Sequence, residues 1–296
     1  RSLSLWAAAR LHITRRPLLA VLLIFSCSFQ FPSGSVQRRI QADSSSRLDT
    51  ATSSPSAFLQ VGEELIYRVS YWFIGLGEIW VRVADKFQKN GETRFRAEVF
   101  VDSYGGNPFV NLHEVYETEF DSALYAHHFQ GRWLDGDAWK YVKYDFRYDL
   151  NKIFIERGRY DLNLIEGYDT ISINRKYQDG LSLFYFARGN VKSGQKTVIP
   201  TFIREKRGRT YFNFESKATD QDIDSVSYPI DVLELEGEAD WVGIFGLTGG
   251  FSGWFSNDDA SIPIVARMKV IIGSVKVQLK SWKREGWVPP RYVEKD

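Results

Sequence analysis

The sequence predicts an all-β protein in which one large, curved antiparallel meander closes into a barrel or a half-barrel, with one short helix near residues 180–188. Three observations support this fold class. Apolar and polar residues alternate with a period of two along much of the chain after Phe58. Aromatic residues make up 15% of the sequence, whereas Met and Cys occur once each, a composition that favours pleated strands. Turn sequences such as Asn90-Gly91 separate the alternating runs.

Each alternating run predicts a strand with one buried face. Within a run, apolar residues occupy every second position, which places their side chains on one side of the sheet. The runs begin at Leu65, Ile79, Phe95, Val142, Ile262 and Val275. The turns between strands are predicted at Gly75-Leu76-Gly77, Asn90-Gly91, Asp135-Gly136, Leu150-Asn151 and Arg207-Gly208. A meander of so many strands is expected to curl or to close on itself.

Residues 179–189 interrupt the alternation and predict a short, buried helix. Asp179 is a candidate N-cap, Gly189 lies just past the predicted end, and the residues between them are apolar on all sides. We expect this helix to lie across one mouth of the curved sheet. In that position it would plug or gate the interior.

The first 27 residues have the pattern of a signal peptide. No acidic residue precedes Asp43, and arginines come before the apolar run of residues 18–25. This run is shorter than the roughly 20 residues of a membrane-spanning helix, which favours cleavage over a retained anchor. Thr14-Arg15-Arg16-Pro17 also resembles a twin-arginine signal, but the strongly apolar run and Pro17 disfavour that interpretation.

Cys27, the only cysteine, has two candidate fates. It follows Ile24-Phe25-Ser26, which resembles a lipobox, and acylation of Cys27 would anchor the protein to a membrane. Alternatively, cleavage near Ser28 or Ser35 would discard it with the signal peptide. Both routes predict export to the periplasm or to the outer membrane, with no disulfide inside the mature domain.

The chain is expected to comprise four parts. Residues 1–27 form the signal peptide, and residues 28–57 form a Ser/Thr-rich tether whose composition predicts disorder. Residues 58–283 form the β domain, and residues 284–296 form a C-terminal tail. The formal net charge of +1, with the two signs interspersed, predicts no nucleic-acid partner.

No motif in the sequence predicts catalysis, a metal or a cofactor. There is no Gly-x-Ser-x-Gly motif, and the adjacent His127 and His128 would point to opposite faces of a strand. Asn257-Asp258-Asp259 carries oxygen ligands suited to a hard cation, but a polar turn explains it more simply. We therefore expect no cofactor and no metal, and we favour a noncatalytic role.

Three segments resemble an uncharacterised bacterial family, domain of unknown function 3108. The segment from Val61 to Tyr71, followed by Gly75-Leu76-Gly77-Glu78, resembles the opening of that family. Residues 253–275 resemble its ending, and residues 179–188 resemble its central helix. The resemblance implies an exported all-β envelope protein, often with a signal peptide or lipid anchor, that has no established activity. It supplies no catalytic residues to transfer.

Aromatic residues from both ends of the β domain and from the helix predict an apolar cavity inside the curved sheet. The alternative is that these residues fill a solid core. The candidate ligand-binding residues are Trp72, Phe73, Tyr185, Phe186, Arg188 and Trp254. Arg188 would anchor a lipid head group, or it would form a structural ion pair with Asp179, Asp258 or Asp259.

The leading hypothesis is a noncatalytic envelope protein that binds an apolar or lipid-like ligand. One alternative is an envelope scaffold that pairs a sheet edge or face with a protein partner. The least favoured alternative is a hydrolase that acts on envelope glycans or lipids. A cavity enclosed by the sheet would favour the first hypothesis over the second.

Overall fold

The structure is a computed structural model that describes residues 55–106, 110–241, 249–269 and 273–294. The predictions of a signal peptide, of Cys27 acylation and of a tether that ends at residue 57 fall mainly outside these residues. Within the described ranges, no helix combines the length and the hydrophobicity that crossing a membrane requires.

In the described ranges, fourteen strands form one antiparallel sheet around a short α-helix. The strands are β1 (Glu64–Tyr71), β2 (Ile74–Lys89), β3 (Glu92–Ser103), β4 (His113–Asp121), β5 (Ala126–Asp135), β6 (Ala138–Arg147), β7 (Lys152–Arg159), β8 (Leu164–Ser172), β9 (Lys196–Ile203), β10 (Lys206–Gln221), β11 (Ile230–Ala239), β12 (Gly249–Ser256), β13 (Pro263–Lys269) and β14 (Ser274–Lys283). The helix, α1, spans Gly180–Asn190, and a 3₁₀ turn spans Tyr148–Leu150.

The sheet is a curled but open meander, which confirms the predicted fold class as its half-barrel form. Its strand order is β8-β7-β6-β5-β4-β3-β2-β1-β14-β13-β12-β11-β10-β9, so the first and last strands pair in the middle. The edges β8 and β9 do not form a continuous ladder. Instead, Gln178, which follows β8, forms a parallel bridge with Thr201 of β9, and the Phe202 amide donates to the Gln178 carbonyl (2.8 Å).

Because neighbouring strands are antiparallel, their turns alternate between two ends of the sheet. The β1–β2, β5–β6 and β9–β10 turns lie at what we call the distal end. The start of β1, the end of β4 and the β12–β13 turn lie at the other end. Helix α1 packs there, since Tyr185 stacks on Phe120 at the end of β4 and Arg188 bonds the Ala260 carbonyl. We call this the helix end, and its arrangement matches the expected place of the helix.

The predicted alternation holds along the strands. Leu65, Tyr67 and Val69 of β1 are buried, and the residues between them are half-buried or exposed. The same pattern holds in β3, β6 and β14. Burial of these alternate side chains on the concave face provides the main driving force for the fold.

Two predicted turns are wrong by a few residues. The β1–β2 turn is at Trp72-Phe73, whereas Gly75-Leu76-Gly77 lies inside β2. Glycine is needed at position 77 because a Cβ there would lie 2.2 Å from the Asp102 carbonyl oxygen of β3. Similarly, Arg207-Gly208 lies inside β10, and the β9–β10 turn is at Arg204-Glu205, where both residues have positive φ (50° and 60°).

The Asn90-Gly91 turn is confirmed, and so is the N-cap of the helix. The Asp179 carboxylate accepts from the amides of Leu181 (2.7 Å) and Ser182 (2.8 Å), and the Ser182 hydroxyl accepts from the Asp179 amide (2.9 Å). This arrangement is a capping box. The helix continues through Gly189 and does not end before it. Glycine fits there because a Cβ would lie 2.6 Å from the Pro55 carbonyl oxygen.

Candidate ligand-binding cavity

A cavity of about 670 Å³ lies between the concave face of the sheet and the first turns of α1. Inward-facing residues of both halves of the chain line it, and most of them are apolar. From the first half these are Tyr67, Ile79, Val81, Val99, Tyr116, Phe129, Gly131, Trp133, Val142 and Tyr144. From the helix and the second half they are Leu181, Phe184, Phe202, Ile203, Trp241, Pro263, Val265, Ala266, Met268 and Val277. The volume is within the usual range of small-molecule sites, about 300–1,000 Å³.

The helix forms the floor of the cavity. Leu181 and Phe184 face the cavity, whereas Tyr185 points away from it and stacks on Phe120, with ring centroids 5.1 Å apart. Tyr185 and Phe120 are fully buried. The interior is therefore closely packed at the helix end and open above α1.

Stacked aromatic rings build one wall of the cavity. Phe129 of β5 packs between Tyr116 of β4 (6.0 Å between centroids) and Tyr144 of β6 (5.2 Å). The edge of Phe202 in β9 then meets Tyr144 at 5.0 Å. Such ring pairs stabilise by about 0.5–1.5 kcal/mol beyond area burial. This wall joins the two halves of the sheet across the open β8–β9 edge.

Three charged residues, Glu114, Arg204 and Glu205, lie among the lining residues. They are half-buried or exposed and belong to the distal ends of β4 and of the β9–β10 turn. The cavity therefore meets solvent at the distal end, opposite its helical floor. Mostly apolar walls with a few polar or charged groups are typical of small-molecule sites.

The hydroxyl groups in the cavity wall remain protonated at neutral pH. Burial, together with the nearby Glu114 carboxylate, raises the pKa of Tyr116, whose hydroxyl donates to Glu114 Oε2 (2.7 Å). Burial also raises the pKa of Tyr144, whose hydroxyl accepts from the Glu205 amide (3.2 Å). Neither phenol is poised as a base or nucleophile, so this wall offers apolar contact and neutral hydrogen bonds.

Within the ranges that the structure describes, no group of three or more His, Cys, Asp or Glu side chains is placed to hold a metal ion. His127 contacts Asp121 Oδ2 (3.2 Å) and His128 contacts Asp145 Oδ1 (2.7 Å). The two histidines thus have separate acidic partners.

The segment Asn257-Asp258-Asp259 forms a polar turn, as the simpler interpretation of the sequence held. Asp258 Oδ1 accepts from the amides of Ala260 and Ser261, at 3.0 Å each, and from the Ser256 hydroxyl (2.8 Å). Its second oxygen, Oδ2, accepts from the Trp287 indole nitrogen (2.7 Å). The Asp258 carboxylate is therefore occupied by bonds that hold the β12–β13 turn.

The six candidate ligand-binding residues do not gather around this cavity. Trp72 and Phe73 form the β1–β2 turn and are 72% and 88% exposed. Tyr185 belongs to the packed core, and Phe186 packs against Phe212 and Phe214. Trp254 is buried in β12 beneath the Arg267 guanidinium, 5.2 Å from its ring centroid.

Arg188 is buried in an ion pair whose partner was predicted wrongly. Its guanidinium binds Glu63 through both carboxylate oxygens (2.5 and 2.8 Å). Asp179 instead caps the helix, Asp258 holds its own turn, and Asp259 contacts Lys192. Sequence analysis missed Glu63 because it lies 125 residues from Arg188, before the alternating run that begins at Leu65.

The residues that do line the cavity carried a weak signal in the sequence. Phe129, Gly131 and Trp133 occupy alternate positions of β5, with a glycine where the neighbouring strands carry bulky residues. A side chain at position 131 would press on the Tyr116 ring, 3.2 Å away. Glycine at an inward-facing strand position indicates close packing of a neighbouring side chain.

Most of the chain matches the profile of a known protein family. The profile of the family described as "Protein of unknown function (DUF3108)" matches residues 66–280. The chain belongs to this family. The family resemblance of the sequence is therefore confirmed. The matched range of the DUF3108 domain includes all of β2 to β13 and every residue that lines the cavity.

Two solved structures are similar to the DUF3108 chain. One is a β-barrel-like protein of domain of unknown function DUF1849 from Brucella abortus, with a TM-score of 0.48, 13% identity, and coverage of 75% of this chain and 97% of that one. The other, from Bacteroides fragilis, is described as a candidate exported protein with a YmcC-like fold; it has a TM-score of 0.33, 8% identity, and coverage of 76% and 97%. A comparison with curated proteins gave no match.

Proposed function

We propose that this DUF3108 protein is an exported, noncatalytic envelope protein that binds an apolar or lipid-like ligand in the cavity above α1. The observation that carries the proposal is the 670 Å³ apolar space inside the sheet. Protein interiors are normally close-packed, whereas a space of this size that opens to solvent leaves its apolar lining residues without close contacts to other apolar groups. A ligand with an acyl or similar chain would restore these contacts and would itself leave water.

The chemistry of the lining supports a binding role over a catalytic one. The walls consist mainly of aliphatic and aromatic side chains, and the three lining tyrosines, Tyr67, Tyr116 and Tyr144, are held protonated. The open end and the helical floor would give the ligand one direction of entry. The N-terminal pattern of residues 1–27 supports delivery to the periplasm or outer membrane, where such ligands are available.

One observation favours a second function, an envelope scaffold. The edge strand β8 is exposed on both faces, and Leu164, Ile165 and Tyr168 are 49%, 45% and 68% exposed. An exposed apolar edge strand is a template for pairing with a strand of another protein. This surface is separate from the cavity, so the two functions can be tested independently.

The proposed binding is tested by titration with N-phenyl-1-naphthylamine, an uncharged dye whose fluorescence rises in apolar sites. We expect saturable enhancement with the wild-type protein. Ala266→Trp should weaken dye binding at least tenfold, because Ala266 lines the cavity and the indole would occupy space that the dye needs. The matched control is Val198→Trp, since Val198 is 48% exposed on β9 and does not line the cavity.

Circular dichroism and urea unfolding would establish that both tryptophan variants fold. If the dye binds without saturation, or binds equally to wild type and folded Ala266→Trp, the cavity is not the binding site.

The scaffold function is tested by a separate measurement. If β8 pairs with a strand of another protein, Tyr168→Lys on β8 should abolish binding of that protein and leave dye binding unchanged.

A further inference from the structure

The mouth of the cavity places Arg204 beside the apolar interior. Arg204 and Glu205 form the two-residue β9–β10 turn, and both have left-handed backbone angles (φ 50° and 60°). Hairpin turns of this kind favour Asn-Gly, because most other residues are strained in the left-handed region. Strain that persists at two successive residues beside a cavity is typical of functional sites.

The acidic residues at the mouth have partners. Glu205 accepts two hydrogen bonds from Arg157, at 2.6 and 3.2 Å, and its amide donates to the Tyr144 hydroxyl. Glu114 accepts from the Tyr116 hydroxyl at 2.7 Å. The contacts of Glu205 hold the turn against β6 and β7, and Arg157 compensates the negative charge of Glu205 at the mouth.

Arg204 differs from these acids. Among residues 55–294 as far as the structure describes them, no carboxylate lies within ion-pair distance of its guanidinium. Arg204 is exposed, yet it lies close enough to the half-buried Tyr116 for its charge to oppose the rise of the Tyr116 pKa that burial causes. Its guanidinium is thus a free, five-donor cation at the boundary between water and the apolar space.

We propose that the ligand is an anionic amphiphile whose chain occupies the cavity and whose carboxylate or phosphate binds Arg204 at the mouth. This inference rests on the proposed function and names the ligand class. A guanidinium matches the planar carboxylate and the phosphate oxygens through paired hydrogen bonds. The head group stays near water, so its desolvation cost is small, and the apolar walls accept the chain.

Displacement of bound N-phenyl-1-naphthylamine by three amphiphiles with one chain length tests the head group. The competitors are dodecanoate, dodecanol and dodecyltrimethylammonium, each below its micelle concentration. With wild type we expect dodecanoate to displace the dye at the lowest concentration. Arg204→Gln should raise the dodecanoate midpoint about tenfold, equivalent to about 1.4 kcal/mol, and leave the dodecanol midpoint unchanged.

Arg175→Gln is the matched control, because Arg175 is exposed and does not line the cavity. It removes the same charge and should leave all three midpoints at their wild-type values. Dodecyl phosphate in place of dodecanoate then distinguishes a phosphate from a carboxylate head group, and either preference supports the proposal.

Three other outcomes would contradict the head-group inference or the proposed function. Equal midpoints for dodecanoate and dodecanol that Arg204→Gln does not alter would overturn the head-group inference and leave the proposed function standing. Preference for dodecyltrimethylammonium would assign the mouth to Glu114 and contradict an anionic ligand. Absence of dye binding to wild type would overturn the proposed function and this inference together.

Discussion

Glu63 and Arg188 form a fully buried, two-bond ion pair that fixes the helix to the sheet. Arg188 Nη1 and Nη2 donate to the two Glu63 oxygens at 2.5 and 2.8 Å, and the side chains of Arg188 and Glu63 are 0% and 2% exposed. Arg284 also binds Glu63, and Arg188 donates to the Ala260 carbonyl. Burial alone would raise the pKa of Glu63, but the two guanidinium groups more than offset it and hold that pKa below its usual value.

Removal of one partner of this pair should be costly. Arg188→Met leaves the buried Glu63 with Arg284 alone and orphans the Ala260 carbonyl, so we expect a loss of about 3–5 kcal/mol in the free energy of unfolding. Urea denaturation monitored by circular dichroism measures it. Arg147→Met is the control, because its pair with Asp149 is exposed to solvent and should contribute little to stability. Similar losses in both variants would contradict this role.

Asp121 should make stability depend on pH. Burial would raise its pKa, but hydrogen bonds from His127, Lys176 and the Tyr125 amide lower it to about 2. Because the unfolded pKa is higher, about 3.9, this carboxylate stabilises the fold by roughly 2 kcal/mol above pH 5. That contribution is lost as the pH falls toward 2.

The comparison of wild type with Asp121→Asn isolates this effect from other titrating groups. The difference in their unfolding free energies should shrink by more than half between pH 6 and pH 2.5. Urea titrations at these two pH values provide the measurement. A difference that stays constant would mean that the Asp121 contacts do not favour its charged form.

The helix cap should depend on hydrogen bonding and not on charge. Asp179 is fully buried, and burial raises its pKa even though Thr118 and two helix amides donate to it. Asp179→Ala should cost about 1–2 kcal/mol through loss of the cap, and more if the Thr118 hydroxyl stays unpaired. Asp179→Asn keeps an acceptor and avoids a buried charge, so it should cost less than half as much in thermal unfolding. Equal losses would indicate that the charge itself is required.

Gly77 should tolerate no side chain. A Cβ at this position would lie 2.2 Å from the Asp102 carbonyl oxygen and 2.8 Å from the Ser103 Cα. Because β3 backbone cannot move aside without breaking the ladder, we expect Gly77→Ala to destabilise by about 1–3 kcal/mol. Gly105→Ala is the control, since nothing lies within 4 Å of the position that its methyl group would occupy. A midpoint of urea unfolding equal to that of the control would refute this close approach.

The local features of the fold were predictable from the sequence because they depend on near neighbours. Alternation identified the strands that contain Leu65, Phe95 and Val142, and Asp179 identified the start of the helix. The turn at Trp72-Phe73 was missed because Trp72 adopts a left-handed backbone (φ 52°) that is unfavourable for so bulky a residue. Nearby glycines gave a stronger turn signal, although packing requires them within a strand.

The candidate site was harder to predict because it depends on distant residues. Tyr67 and Phe202 line the same cavity although they are far apart in the chain. The aromatic residues of the strands and the helix looked equivalent in the sequence, yet Phe73 is exposed at a turn and Tyr185 is buried in the core. Phe184 and Tyr185 are neighbours on different faces of the helix. Because the helix is apolar on all sides, its sequence does not reveal which face points to the cavity.

The central claim is that an apolar ligand enters the space above α1, and Met268 reports on it directly. Met268 is the only methionine in the sequence and lines the cavity, so ¹³C-methyl labelling of methionine places an NMR probe there. Its resonance is assigned with Met268→Leu and followed during titration with dodecanoate. We predict a saturable shift of the Met268 methyl resonance with the same midpoint as dye displacement. A resonance that stays unchanged while the ligand binds would contradict the account.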